Sequence, residues 1–251
     1  MSFFEREYLR AKLKNNHFRE IAHKRAEKVH QSQQESTYLC GMIHLNITIM
    51  TKFIKFYALE IYTVLAMLFI VCTAMLGELS VIQKLVVIDA FLFILHEWEE
   101  GHYPGGFINL IAGLIQINPS DGIKRASRIP AGILLLLLSI VPFIYHDVPM
   151  ITMIVATFGI IEGFVHTMGI RLFRMKHFYT PGAATAWLEL VVSGLMIAHL
   201  VTNHLGQWQD YVFGPIIMFV CFGMLQKTMT LMVGINYSDM PKMVKRQWSG
   251  E

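Results

Sequence analysis

The side chains best equipped for chemistry stand in two short strings. The first, His96-Glu97-Trp98-Glu99-Glu100, closes a strongly apolar run from Leu85 to Leu95. On a helix His96, Glu99 and Glu100 fall at i, i+3 and i+4 and share one face. The second is Glu162 with His166, also i, i+4, inside another apolar stretch. An ionised group at the centre of a bilayer costs about 2.5–3.5 kcal/mol on insertion scales, so such groups turn inward and find partners. His and Glu at these spacings on two facing helices is how helical bundles build metal sites. Two imidazoles with two or three carboxylates suit zinc, iron or manganese, and suit neither calcium nor copper. His96 with Glu99 or Glu100 would meet Glu162 and His166. The reading adopted takes His96, Glu99, Glu162 and His166 as ligands and leaves Glu100 as general base. Asp89 and Glu189 are candidates to orient the imidazoles, and Lys227 to pair with a carboxylate or a substrate anion.

The chain that must position these groups has 251 residues, 54% of them apolar and only 16% charged. Soluble domains carry about a quarter charged residues. Mean hydropathy is +0.47, and the apolar residues come in blocks of spanning length. An all-α integral membrane protein is expected, with six transmembrane helices near 56–76, 80–99, 129–145, 148–170, 183–201 and 211–234. Between the second and third lies 101–128. Its apolar middle, Phe107 to Ile117, is half the spanning length, as in an interfacial or re-entrant segment. Ten Lys and Arg precede the first span, and Lys124, Arg125, Arg128, Arg171, Arg174, Lys176, Lys242, Lys245 and Arg246 fill alternate loops and the tail. The remaining loops have none, so both termini are expected in the cytoplasm of a multi-pass cell-membrane protein.

Two regions are expected: a charged amphipathic segment, 1–49, and a six-helix domain, 50–251. Met50-Thr51-Lys52 before an apolar helix reads as a natural start, so 1–49 is expected to be dispensable. His17, His23 and His30 are spaced too loosely for a ligand set, and no signal peptide is visible. Cys40, Cys72 and Cys221 are far apart, which argues against a disulfide framework or a zinc knuckle. The net charge of +3 forms no nucleic-acid patch, no nucleotide motif occurs, and the lipid bilayer is the expected partner.

This topology gives each polar residue a depth. His96, Glu99, Glu100, Glu162, His166, Glu189, Glu60, Gln226 and Lys227 gather on the cytoplasmic side, with Asp89 nearer mid-membrane. A metal-dependent hydrolase or oxidoreductase acting on a lipid-like substrate, lidded by 101–128, is the leading reading. A transporter or ion permease using the same acids is the rival, disfavoured because the outer half has few polar groups. A structural membrane subunit, with the polar layer as internal glue, is the third.

With these residues in view, the sequence resembles the bacterial membrane family named for its HXXEE motif. That motif is His96 to Glu100 here. An acid-x-x-x-His on a later helix is matched by Glu162 and His166, and a Tyr-x-Pro-Gly by Tyr179-Thr180-Pro181-Gly182. The last is expected to start a helix, with Thr180 as N-cap and Pro181 first. The resemblance covers about residues 80–235 and implies the site without implying a reaction. Intramembrane proteases related to CAAX-processing enzymes offer a second comparison, through Glu99-Glu100 and His199-Leu-Val-Thr-Asn203. No Arg follows the glutamates at the required spacing, Glu162 stands where those enzymes have Phe, and His199 is expected on the opposite side of the membrane.

Overall fold

The computed structural model describes residues 38–249, with side chains through Lys245. Among these residues all regular structure is helical. The histidines His17, His23 and His30, and most of the charged segment, fall in residues 1–37, outside those described. The chain divides into two compact units, residues 1–53 and 54–251. The described part of the first belongs to a helix, α1 (Tyr38–Phe56), which is unbroken at position 49 and exposes Leu39, Ile43, Leu45 and Ile47.

The second unit runs α2 (Ala58–Ala74), α3 (Val81–Gly101), α4 (Phe107–Leu114), α5 (Asp121–Ala126), α6 (Arg128–Ile144), α7 (Pro149–Leu172), α8 (Ala183–Thr202), α9 (Trp208–Met232) and, after a short 3-10 turn, α10 (Met240–Ser249). Local chemistry sets several of these ends. Ser80 caps α3 through a reciprocal pair: its hydroxyl accepts from the Gln83 N–H at 3.2 Å, and Gln83 Oε1 accepts from the Ser80 N–H at 3.0 Å. Gln83 Nε2 also donates to the Phe143 carbonyl, tying the start of α3 to the end of α6. Pro149 opens α7, where its missing N–H costs nothing. Gly105 and Gly106 take φ of +71° and +99° ahead of α4, a turn that side chains with a Cβ resist. With eight residues, α4 is about 12 Å long, far short of a crossing.

Four stretches are long and apolar enough to cross a membrane: Asp121–Ile144, Pro149–Leu172, Ala183–Thr202 and Trp208–Met232. The pair α1 and α2, broken at Tyr57, makes a fifth if taken together. Two of the six expected spans therefore do not qualify alone. One is α2, which has only 17 residues. The other is α3, which has the length but carries Lys84, Asp89, Glu97, Glu99 and Glu100. Glu99 and Glu100 of the candidate site add to the charges of Lys84, Asp89 and Glu97, which already take from this helix the apolar signature of a span.

Packing centres on α3, α7 and α8. Helix α7 lies along α8 and α9, while α3 packs on α8, α6 and α2. Phe93 of α3 meets Phe158 of α7 edge to face, with centroids 5.5 Å apart. Small residues set the closest approach. A Cβ on Gly159 of α7 would overlap Ser193 Oγ and stand 3.0 Å from the Glu189 carbonyl, and one on Gly163 would stand 3.0 Å from Leu190 Cβ. Glycine at such contacts lets two helices close without side chains between them. Gly159→Val is accordingly expected to lower the thermal midpoint in detergent, at an overpacking cost of about 1–3 kcal/mol. Gly194→Ala, whose added Cβ meets nothing within 4 Å, should leave the midpoint unchanged. Equal midpoints for the two variants would contradict this packing.

Candidate metal centre

Helix periodicity delivers two i, i+4 pairs to one point. His96 and Glu100 leave α3 on the side facing α7, and Glu162 and His166 leave α7 toward α3. His166 Nε2 lies 3.6 Å from Glu162 Oε2 and 3.2 Å from Glu100 Oε1. His96 Nε2 lies 3.7 Å from Glu162 Oε2 and 3.6 Å from Glu100 Oε1. The imidazole rings meet edge to face with centroids 5.0 Å apart. Single ligand atoms from His96, Glu162 and His166 all fall within 4.8 Å of one another, so this buried group can hold a metal ion. Ligands at about 2.0–2.1 Å from a tetrahedral zinc stand roughly 3.3–3.5 Å apart. The His96–Glu162 and His166–Glu162 separations differ from that by a few tenths of an ångström. A further sign of fit is His166 Nε2 itself: it is fully buried, and despite its near carboxylates it makes no hydrogen bond.

The other ring nitrogens are fixed by two threonines that the sequence does not flag as site residues. His96 Nδ1 lies 3.0 Å from Thr185 Oγ1, and His166 Nδ1 lies 3.2 Å from Thr180 Oγ1. Each hydroxyl has its own proton engaged. Thr185 donates to Glu99 Oε2 at 2.6 Å, and Thr180 donates to the His166 carbonyl at 3.3 Å. With its proton given to Glu99, the Thr185 hydroxyl accepts from His96 Nδ1–H, the tautomer that keeps the Nε2 lone pair for a metal, and the Thr180 hydroxyl is placed to serve the same tautomer of His166. Glu189 Oε1 stands back from His96 Nδ1 at 3.8 Å.

Glu99, expected as a ligand, is placed elsewhere. Its carboxylate accepts from Tyr179 Oη (2.6 Å), Thr185 Oγ1 (2.6 Å), Thr185 N–H (2.9 Å) and Ala184 N–H (3.2 Å). At about 100° per residue, Glu99 lies some 60° round the helix from His96 in one direction and Glu100 about 40° in the other. One therefore faces α8 and the other α7. Glu99 becomes the cap of α8, where free N–H groups and the helix dipole favour an anion. Thr180, expected in that role, is not the cap: Gly182 takes the position with φ +92° and contributes no side chain. A Cβ on Gly182 would lie 2.5 Å from His166 Cε1 and 2.9 Å from Glu100 Cγ, so this glycine seals the site. Tyr179, in the same loop, has its hydroxyl pushed above the usual tyrosine range by burial and by its bond to Glu99. It stays protonated and remains a donor at neutral pH.

Beside His96, Glu100 and Glu162 lies a cavity of about 90 Å³ between α3, α4, α6, α7 and α9. Its polar wall is His96, Glu97, Glu100, Glu162, Arg128 and Gln226, and its apolar wall includes Phe107, Ile111, Phe158 and Phe222. Arg128 Nη2 is held by the Gly101 carbonyl at 3.0 Å. Lys227 is exposed, and its neighbour Gln226 faces the cavity instead. His199 bonds Asn203 at the exposed far end of α8, away from these groups.

No family model matches the chain, and no curated protein or solved structure matches it. The site geometry therefore carries the argument alone. Glu99→Gln should lower the thermal midpoint, since hydrogen bonds to a charged group contribute about 1.5–3 kcal/mol each, and should weaken zinc about 10–100-fold through the loosened Thr185–His96 contact without abolishing its binding. Thr180→Val, by releasing the His166 ring, should weaken zinc about 10–100-fold in chelator competition. Zinc lost in Glu99→Gln with an unchanged midpoint would reverse these two assignments.

Proposed function

We propose that this chain is a six-span protein of the cell membrane, with both termini cytoplasmic, that works as a metal-dependent enzyme of the HXXEE-motif kind. Helices α2 and α3 complete the six crossings, α3 keeping its charges turned to the bundle interior. The alternation of Lys and Arg among the loops supports the orientation. His96, His166 and Glu162 hold zinc, iron or manganese. The observation that carries this reading is the approach of two imidazoles and one carboxylate, within 4.8 Å, from helices 66 residues apart in Glu162 and His96 numbering. Three protein ligands with an open position is the pattern of catalytic rather than structural metal sites.

A divalent ion there supplies Lewis acidity and acidifies water. Glu100, beside both Nε2 atoms, accepts and returns the proton as general base. Arg128 and Gln226 orient the polar end of a substrate, and the apolar wall takes its hydrocarbon part. That division fits a lipid-like substrate reaching the site from the bilayer, with α4 over the cavity as the lid. Hydrolysis or oxidation are both open to this ligand set. An ion permease is the second reading, favoured by the deeper carboxylates Asp89 and Glu189, which extend the acidic layer beyond the metal group.

Metal analysis of the purified chain decides the main point. About one zinc, iron or manganese per chain is expected in wild type, with loss in His96→Ala and in Glu162→Gln. Glu100→Gln should keep the ion and lose turnover of a lipid ester or alkyl substrate. Wild type and His96→Ala equally free of metal would overturn the enzyme reading. Metal flux into proteoliposomes, abolished by Glu162→Gln, would replace it with the permease.

A further inference from the structure

Gln226 of α9 borders two hollows at once. Its half-buried side chain lines the cavity beside His96 and Glu162. It also lines a second, larger hollow of about 590 Å³ that the proposed chemistry does not use. The other walls of that hollow are Tyr237 of the 3-10 turn and Met240, Pro241, Val244 and Lys245 of α10. Among the described residues no hydrogen bond ties the Gln226 amide to a partner, so the side chain that separates the two spaces is free to swing.

The surrounding elements keep this arrangement. Along α9, Phe222, Leu225, Gln226 and Met229 fall at i, i+3, i+4 and i+7 and share the face that lines the first cavity. Helix α10 packs on α4 and on the 3-10 turn, and the turn packs on α9. Contact between α9 and α10 thus runs round the second hollow rather than across it. Met240, Met243 and Val244 of α10 are half-buried, while Pro241, Lys242 and Lys245 are exposed. An amphipathic helix with basic residues on its polar face lies in the plane of a membrane surface. In the orientation proposed above, the hollow stands at the cytoplasmic leaflet.

Size decides what these spaces can take. The first cavity, at about 90 Å³, is far below the roughly 300–1,000 Å³ of sites that enclose a whole small ligand. It admits the reacting end of a substrate and leaves the rest outside. We infer that Gln226 is the gate between the two hollows and that the substrate is a single-chain amphiphile of the fatty-acid class. Its polar end enters the first cavity, where Arg128 is the Lys or Arg in the wall and a guanidinium suits a carboxylate. Its chain passes Gln226, and its tail lies against Met240, Pro241 and Val244. A passage opened by the swing of one side chain passes one alkyl chain and stops a lipid with two. This inference rests on the enzyme reading for the identity of the first cavity and adds the substrate class and the entrance.

The test is photolabelling of the full chain in phosphatidylcholine vesicles with two palmitic-acid analogues, one carrying a diazirine beside the carboxyl and the other at the tail end. The first should label Leu134 or Phe222 in the cavity, and the second Met240 or Val244. Cavity labelling should fall about tenfold in Gln226→Trp, which blocks the passage. It should persist in Gln226→Ala, which widens it, and in Met224→Trp, on the exposed face of α9. Where Gln226→Trp does not fold, Val244→Trp should remove the tail label instead. Labels confined to the lipid-facing Phe219 and Val220, or labels indifferent to the tryptophan variants, overturn the inference. Cavity labelling lost as fully in Gln226→Ala as in Gln226→Trp also overturns it, since Gln226 would then be a binding contact and not a gate. Zinc measured on the same samples separates the two readings. Zinc bound with labelling indifferent to Gln226→Trp overturns the entrance alone. Wild type free of metal, with cavity labelling lost in Gln226→Trp, supports the entrance and overturns the enzyme reading.

Discussion

The carboxylate of Glu99, held by four donors from the loop before α8 and the first turn of α8, fixes the contact on which every other site residue depends. It sets the rotation of α3, and with it the direction of His96 and Glu100. It places the Thr185 hydroxyl as an acceptor for His96 Nδ1. Through Tyr179 it anchors the loop whose next residues, Thr180 and Gly182, orient His166 and pack against it. One acid thus positions both imidazoles without facing the metal group. The arrangement is economical because α8 has no capping side chain of its own, and a carboxylate from a neighbouring helix meets that need.

Around this contact the bundle tolerates charge where apolar packing alone would not. His166 has no exposed surface, and His96 and Glu162 have little. Close backbone approach at Gly159 and Gly163 lets α8 reach α7 directly. That leaves the space between α3 and α7 to polar side chains rather than to large apolar ones. The cavity then lies beside His96 and Glu162, bounded also by α6 and α9, with polar and apolar lining.

The sequence carried much of this. Apolar blocks identify a chain that is helical throughout its described residues, with several helices of membrane-spanning character, and the short apolar segment expected as interfacial or re-entrant contains a short helix, α4. Periodicity alone brings His96, Glu162 and His166 to facing helices, where the structure finds them together. What periodicity could not resolve is the choice between i+3 and i+4, since Glu99 and Glu100 flank the same line on α3 and only the position of α8 separates them. Thr180 and Thr185 were invisible as site residues because a threonine near a helix start reads as a cap. The left-handed turn at Gly182 moves the start of α8 past Thr180 and frees that hydroxyl for His166. Arg128 read only as a topology marker, because its place in the cavity wall depends on how α6 meets the end of α3.

X-ray absorption at the zinc edge, on the full chain loaded with zinc in detergent and dialysed, addresses the central claim most directly. The account predicts outer-shell scattering from two imidazoles, first-shell nitrogen and oxygen at about 2.0–2.2 Å, and no sulfur. Loss of zinc on dialysis, or a spectrum of oxygens without imidazole, would contradict it.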